Sequence, residues 1–343
     1  LPELSLARLD GRDLDLRWRD ATQPQPVDLR LQDLQLRSDG LQFGPADRRG
    51  ALQLEFALAD AVERVAVTAT LSTPAADAVQ ADLQLDLQGA HLTALRPYLA
   101  QAGLSCAWQA ASLALRSRLH LAPEARGGHR LDVAVDELEL RDGASELLRL
   151  GALQASVRLP DDGAVDPRTV TLTRFELPMA RRADGALAVA GFEFPGAPRP
   201  PAAWRLVADV ELAAPGGDGQ RTFAITLGVA DLVEQLRIAG TLQVGPPADA
   251  AVDVGLAAEL TARGLRGTGL DAWLPPGVTS PLADGSLSAT LRATHRAADG
   301  ATWLELRDLQ LQDGARTWLA LPSARVDVAA ADRERLHVRE LAI

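Results

Sequence analysis

The chain has 343 residues, of which 47% are hydrophobic, so it can bury a sizeable surface and is not globally disordered. A formal net charge of −11 and a pI near 5.0 argue against a nucleic-acid-binding surface, which needs clustered cations. Cys106 is the only cysteine, which excludes an internal disulfide, and no run approaches the roughly 18 apolar residues of a membrane-spanning helix.

Apolar residues recur at every second position along most of the chain, a pattern that predicts strands with one apolar and one polar face. Counting these runs gives about nineteen strands. The first stretch, Leu4–Leu16, holds two short runs around Asp10-Gly11, and Val27–Leu36 is a strand ended by Asp39-Gly40. In chain order the other predicted strands are Leu52–Leu58, Val65–Leu71, Val79–Leu87, Ser112–Leu121, Leu131–Leu159 as a hairpin, Thr169–Leu177, Leu187–Phe194, Trp204–Leu212, Thr222–Val229, Leu236–Val244, Val252–Leu260, Ser286–Leu291 and a closing hairpin.

The clearest local unit is the hairpin Leu131–Leu159, whose two runs are joined by Asp142-Gly143. Glycine tolerates a positive φ, so an Asp-Gly pair between alternating runs predicts a tight turn. The alternation slips by one residue between Val135 and Leu138, where we expect a β-bulge. Trp303–Val328 repeats this order around Asp313-Gly314 and closes the chain.

Two stretches have apolar residues at helical spacing. Leu92–Leu99 predicts one short helix, capped by Thr93 and kept short by Pro97. Leu270–Leu274 predicts a second, ended by Pro275-Pro276.

The proline-rich run Pro195–Pro201 predicts a stiff linker or bend. We therefore expect a first half over residues 1–194, a linker over 195–203 and a second half over 204–343. The segment Leu85–Leu177 also aligns with Leu256–Ile343, with Tyr98-Leu99 matching Trp273-Leu274, and a period of this length suggests stacking of repeats.

No catalytic or metal-binding motif stands out. None of the five histidines has a metal-ligand spacing to another histidine or to Cys106, which is better explained as a small buried residue. Gly267-x-Gly269-x-x-Ala272 matches a dinucleotide fingerprint by letter, but its helix is too short and no βαβ unit follows. We predict no cofactor and no metal, and we do not expect an enzyme.

The unusual feature is the number of one-faced strands. Two packed sheets would explain them as a β-sandwich, but nineteen strands are many for one sandwich. The other solution is an all-β fold: an elongated, curled, mostly antiparallel sheet of repeated hairpins, with two short helices and an apolar groove left for a guest. Candidate groove residues, almost all aliphatic, are Leu29, Leu31, Leu52, Leu54, Phe56, Val65, Val67, Leu83, Leu85, Leu113, Leu115, Leu138, Leu140, Val210, Leu212, Ile225, Leu227, Leu242, Val254, Leu287, Leu291, Leu304 and Leu306.

The run LQLDLQGAHLTALRPYLAQAGL resembles the recurring unit of bacterial AsmA-like proteins, particularly their DUF748 branch, in which a strand leads into a short helix. The segments RDGASELLRLGALQASVRL and RTVTLTRFELPMARRADGALAVAG resemble that family's strand-hairpin-strand unit. The resemblance covers most of the chain as a style of repeat and includes no catalytic motif. It implies a periplasmic protein of the cell envelope, anchored in the inner membrane, whose repeating β-groove carries phospholipids toward the outer membrane.

These observations predict a segment of an AsmA-like protein that conducts phospholipid acyl chains along an apolar face. We expect its inner-membrane anchor to lie outside this chain, and we expect no nucleic-acid partner. Two alternatives remain at this point. The chain could be a structural or adhesive β-sandwich of the envelope with a dry core, or an enzyme, which would need a pocket with converging polar groups.

Overall fold

The computed structural model describes residues 4–22, 27–43, 48–73, 78–92, 95–101, 103–125, 127–161, 165–196, 201–216, 219–244, 254–271, 274, 278–296, 301–331 and 336–342. The fold is all-β, with antiparallel strands and two short helices. In chain order the elements are β1 Leu4–Asp20, β2 Val27–Phe43, β3 Arg48–Leu58, β4 Val62–Thr73, β5 Val79–Ala90, α1 Arg96–Gln101, β6 Ser105–Cys106, β7 Ala111–Pro123, β8 His129–Asp142, β9 Ser145–Leu159, β10 Asp166–Arg181, β11 Leu187–Val189, β12 Phe192–Phe194, β13 Ala202–Leu212, β14 Gln220–Val229, β15 Val233–Val244, β16 Val254–Leu265, α2 Gly267–Asp271, β17 Gly285–Arg296, β18 Ala301–Asp313, β19 Arg316–Ala331 and β20 Leu336–Ala342.

The chain divides into two compact units, one of residues 1–167 and 171–203 and the other of residues 168–170 and 204–343. In the first unit β1, β2, β3, β4, β5, β7, β8, β9 and β10 pair in that order, and each strand bonds to its neighbours in the series. In the second unit β13 to β20 pair in simple succession. Each unit is thus a meander, as the sequence of hairpins predicts.

The predicted hairpin and its bulge are confirmed. Strands β8 and β9 turn at Asp142-Gly143, where Gly143 has a φ of 58°. Opposite β7, Glu137 pairs with Arg116 and Val135 with Ser117, so Asp136 is the extra residue of the bulge. The bulge restores the phase, and the leucines on both sides of it stay on one face of the sheet.

Other Asp-Gly pairs lie inside strands, where we had predicted breaks. Strand β1 runs through Asp10-Gly11, and β2 runs through Asp39-Gly40 to Phe43 because Gly40, at a φ of 66°, is accommodated within the ladder. Conversely, the predicted strand Leu187–Phe194 is two strands, since Ala190 and Gly191 both have positive φ and form a tight turn.

The two helices are present with shifted bounds. Helix α1 begins at Arg96 and ends at Gln101, later than predicted, and the expected cap Thr93 lies outside the described residues. Helix α2 begins at Gly267 and ends at Asp271, before the predicted Leu270–Leu274 is complete. The prolines expected to end it also lie outside the described residues.

The long repeat extends further than the sequence alignment suggested. Asp60 and Asp231 occupy equivalent turns with φ of 59° and 61°, between β3 and β4 and between β14 and β15. The glutamates that follow, Glu63 and Glu234, each lie against a glycine near the end of the next strand, Gly89 and Gly264 respectively. Both glycines have a φ of 65°. Each unit is therefore one copy of the same strand-helix-strand meander.

A second pair of matching contacts fixes where each copy resumes after its helix. The Asp142 carboxylate accepts hydrogen bonds from the backbone N–H of Ala110 at 2.9 Å and of Gln109 at 3.2 Å. Asp313 accepts from Asp284 at 3.0 Å and from Ala283 at 3.2 Å. In both units the aspartate of the hairpin thus satisfies the backbone donors that precede the strand after the helix.

Candidate functional site

Register joins the apolar residues of the first unit into continuous rows. Residues directly opposite one another in an antiparallel pair project from the same face of a sheet. Starting from β2, the pairing passes without a break from strand to strand as far as β9. The central row is Leu36, Leu54, Val67, Leu85, Leu115, Leu138 and Leu150.

Parallel rows flank this one. The row toward the β3–β4 turn contains Phe56, Val65, Leu87, Leu113, Leu140 and Leu148. The row on the other side contains Leu52, Ala69, Leu83, Ser117, Val135 and Leu153. We call this surface the first apolar face. All thirteen groove candidates predicted before the proline-rich run lie on it, including Leu29 and Leu31, which the pairing of Leu31 with Leu58 places there.

The second unit has an equivalent surface, the second apolar face. One of its rows contains Ala208, Leu227, Leu236, Ala262, Leu287, Leu311 and Leu319. Another contains Leu212, Phe223, Gly240, Ala258, Leu291, Leu306 and Ala324. The ten candidates from Val210 to Leu306 all lie on this face.

The large side chains of both faces are only partly covered. Leu150 and Leu282 are the only leucines among the described residues that are buried, and ten of the seventeen buried hydrophobic residues are alanines. Of the twenty-three candidates only Val65 is buried, Leu304 is 39% exposed, and the others are half-buried. In a two-layer sandwich the larger side chains would be the buried ones, since they interdigitate between the sheets. Neighbouring side chains cover the short alanines here, whereas the larger leucines remain partly exposed in the part of the chain that the structure describes.

One end of the first apolar face is an exception. Ala61, Val62, Val65, Ala90 and Ala111 form a buried cluster at the ends of β4, β5 and β7. Trp108 packs on this cluster, together with the candidates Phe56, Val67, Leu85 and Leu140. The Trp108 indole N–H donates to the carbonyl of Ala190 at 2.9 Å, and its ring lies 5.3 Å from that of Phe192. These candidates therefore belong in part to the protein's own core.

Sequence analysis missed the apolar residues of β1. Leu9, Leu14, Leu16 and Trp18 are 41%, 46%, 59% and 52% exposed. Their register with β2 places them on the first apolar face, where Leu16 pairs with Leu31. The alternation is broken at Asp13, which has a φ of 52° and lies within a bulge. The sequence does contain a signal for this bulge. An Arg-Asp-Leu or Gln-Asp-Leu triplet recurs around Asp13, Asp33 and Asp308, and all three aspartates have a positive φ.

The opposite face of each sheet is polar and internally paired. Arg64 lies 2.7 Å from Glu55, and Arg118 lies 2.9 Å from Asp136. The hydrogen bond from Arg118 lowers the pKa of Asp136 below its ordinary value. Both members of these pairs are half-exposed, so each contributes little to stability. Their consequence is an ionised, hydrated face that faces away from the apolar rows.

The polar face also has depressions. One is lined by Asp10, Arg12, Arg37 and Glu55, among others. The hydrogen bond from Arg12 lowers the pKa of Asp10, which keeps the carboxylate ionised and makes it a weak general base. Cys106 is half-buried, and burial raises the pKa of its thiol, so the reactive thiolate is disfavoured.

The glycines that matched the dinucleotide pattern have a packing role. A Cβ on Gly267 would lie 1.9 Å from the carbonyl oxygen of Ser280, and one on Gly269 would lie 2.2 Å from that of Asp231. Both glycines are buried. They allow α2 to pack directly against the β14–β15 turn, and their backbone has no free space beside it for a phosphate.

Within the described ranges, no cluster of three or more histidine, cysteine, aspartate or glutamate side chains could hold a metal ion. The helices of those ranges include none long and apolar enough to cross a membrane. No protein-family model matches the chain, and neither the curated proteins nor the solved structures contain a match to it.

Proposed function

We propose that the first and second apolar faces bind the acyl chains of phospholipids, and that the chain is a lipid-conducting segment of an AsmA-like protein in the bacterial periplasm. The observation that carries this proposal is the set of register-aligned aliphatic rows whose larger side chains are partly exposed among the described residues.

The chemistry of the faces favours a hydrocarbon guest over a protein partner. Protein interfaces concentrate aromatic residues, methionine and arginine at their cores. The faces consist mainly of leucine, valine, isoleucine and alanine, with few aromatic residues, among them Phe56, Phe223 and Trp18. The whole chain has one methionine and one tyrosine. Such a surface offers contact area without directional hydrogen bonds, which suits an acyl chain that must bind and also slide along the protein.

The mechanism is passive. Each square ångström of hydrocarbon removed from water contributes about 25 cal/mol, whichever aliphatic side chain it touches. A lipid displaced by one strand along the rows therefore exchanges one set of aliphatic contacts for an equivalent set, and the barrier between positions is low. Head groups remain in water. The second possibility, a structural or adhesive β-sandwich, requires buried leucines, and the partial exposure of the faces argues against it.

Paired charge substitutions on opposite faces of the same strands test the proposal. Leu54→Asp with Leu83→Asp places two carboxylates on the first apolar face, whereas Gln53→Asp with Gln84→Asp adds the same charge to the polar face. Phospholipids in solvent extracts of the purified proteins are quantified by mass spectrometry, with circular dichroism to check folding. We expect the wild type and the polar-face variant to retain lipid and the apolar-face variant to lose it. A wild type without lipid, or equal retention by both folded variants, contradicts the proposal.

A further inference from the structure

A strap of chain crosses one end of the first apolar face. Strand β10 pairs with β11, β11 with β12, and β12 with β6, where Phe192 lies opposite Cys106. Strand β6 follows α1 closely in the chain. The path from β10 through β11, β12 and β6 to α1 is therefore continuous. We call these four elements, β11, β12, β6 and α1, the strap.

The far end of the strap is bonded to β1, the opposite edge of the ladder. The Tyr98 hydroxyl on α1 donates to the Asp20 carboxylate at 2.6 Å. Helix α1 follows β5, and β5 is four ladder steps from β1, which is about 19 Å at the usual strand spacing. A six-residue helix and one tyrosine side chain span that interval only by lying across the ends of the strands between them.

Two contacts place the strap on the apolar side of the sheet. Trp108, directly after β6, packs on the cluster that contains Val65 and Ala90. Asp20 pairs with Val27, which is 2% exposed and shares its face with Leu29. Among the described residues, the other ends of the same strands have no equivalent crossing. The first apolar face is thus closed at one end of its strands.

The uncovered part has room for a lipid tail lying along the strands. From Val67 to Thr73 β4 advances by six residues, or about 20 Å. One leaflet contributes about 15 Å, half of the ~30 Å hydrocarbon thickness of a bilayer. A tail with its methyl end at the strap would therefore lie wholly on apolar rows, with its ester end short of the strand ends.

We infer that the strap orients bound phospholipid: methyl ends abut Trp108, and head groups point toward the opposite strand ends, where Leu121 and Leu131 lie. This inference rests on the proposed function, since it specifies how the proposed ligand lies. Its physical reason is that the strap covers that end, where a charged head group would lose hydration. The strand ends opposite the strap leave the head group in water.

Fluorine NMR of the full chain with fluorinated tryptophan tests the orientation. The six native tryptophans of the protein give one resonance each, and each resonance is assigned by replacing a single tryptophan with phenylalanine. Trp108 reports the strap, and Leu131→Trp adds an indole at the opposite end of the strands. Trp303 and Trp318, which carry arginines over their rings in the second unit, serve as internal controls. The probe is phosphatidylcholine with a nitroxide either at the methyl end or next to the ester of one acyl chain.

We expect the methyl-end label to broaden the Trp108 resonance beyond detection and to leave the indole introduced by Leu131→Trp sharp. The ester-proximal label should broaden Trp108 less, and the introduced indole more, than the methyl-end label does. The opposite ranking of the two labels, or no difference between them at either indole, overturns the orientation while leaving lipid binding intact. If Trp108 and the introduced indole both stay sharp with both labels, no lipid occupies the face, and this result contradicts the proposed function as well.

Discussion

Shortening a leucine on an uncovered face should cost less than shortening a buried one, and Leu304 and Leu282 provide the comparison within one unit. Leu304 lies on the second apolar face and is 39% exposed, whereas Leu282 is 8% exposed. Each truncation to alanine removes three carbons, worth about 2.4 kcal/mol if fully buried. For Leu304→Ala the partial burial leaves about 1.5 kcal/mol, with no cavity because water or lipid fills the space. For Leu282→Ala a cavity term adds to the transfer term, giving about 2–5 kcal/mol.

Hydrogen-exchange mass spectrometry across a urea series measures both losses. Peptides from β17, β18 and β19 report the second unit by itself, so the unfolding of the first unit does not enter. Added phospholipid should raise the cost of Leu304→Ala toward that of a buried leucine, because the guest covers the side chain, and should leave the cost of Leu282→Ala unchanged. If Leu304→Ala costs as much as Leu282→Ala in lipid-free protein, the face is sealed and the reasoning fails.

Three further outcomes are expected. Gly269→Ala should destabilise the second unit by about 2 kcal/mol or more, because its Cβ would overlap the Asp231 carbonyl oxygen; unchanged exchange protection around α2 would refute this. Asp313→Ala should cost about 1–2 kcal/mol by leaving two backbone donors without their acceptor, read as faster exchange at the start of β17. Tyr98 is the only tyrosine, so tyrosinate absorbance reports it alone. Burial and the hydrogen bond to Asp20 raise the pKa of Tyr98 to about 12. The neutral hydroxyl therefore contributes its full stabilisation to the folded state below the ordinary pKa of 10, and this contribution is lost as the pH rises through the folded-state pKa. Asp20→Asn should lower the midpoint of the Tyr98 titration. A midpoint near 10 in the wild-type protein would show that Tyr98 does not bond to Asp20 and that the strap is not held to β1.

The sequence was sufficient where the outcome depends on local backbone preferences and side-chain periodicity. Alternation at every second residue placed the candidates from Leu29 to Leu306 on one face of each unit, because the direction of a side chain along a strand follows from the pleat alone. The turn at Asp142-Gly143 and the bulge beside Val135 were likewise readable, since a positive φ and a change of phase leave marks in the local sequence.

Only the tertiary structure decided which apolar residues are covered and by what. Asp39-Gly40 carries the same letters as Asp142-Gly143, yet it lies within a strand, because β2 continues to pair with β1 from Leu41 to Phe43. Tyr98 and Asp20 are 78 residues apart, and nothing local predicts that they meet. Periodicity shows that a face is apolar. Whether a second layer, a strap or only solvent lies over that face depends on contacts between distant segments, and those contacts exist only once the strands are paired in register.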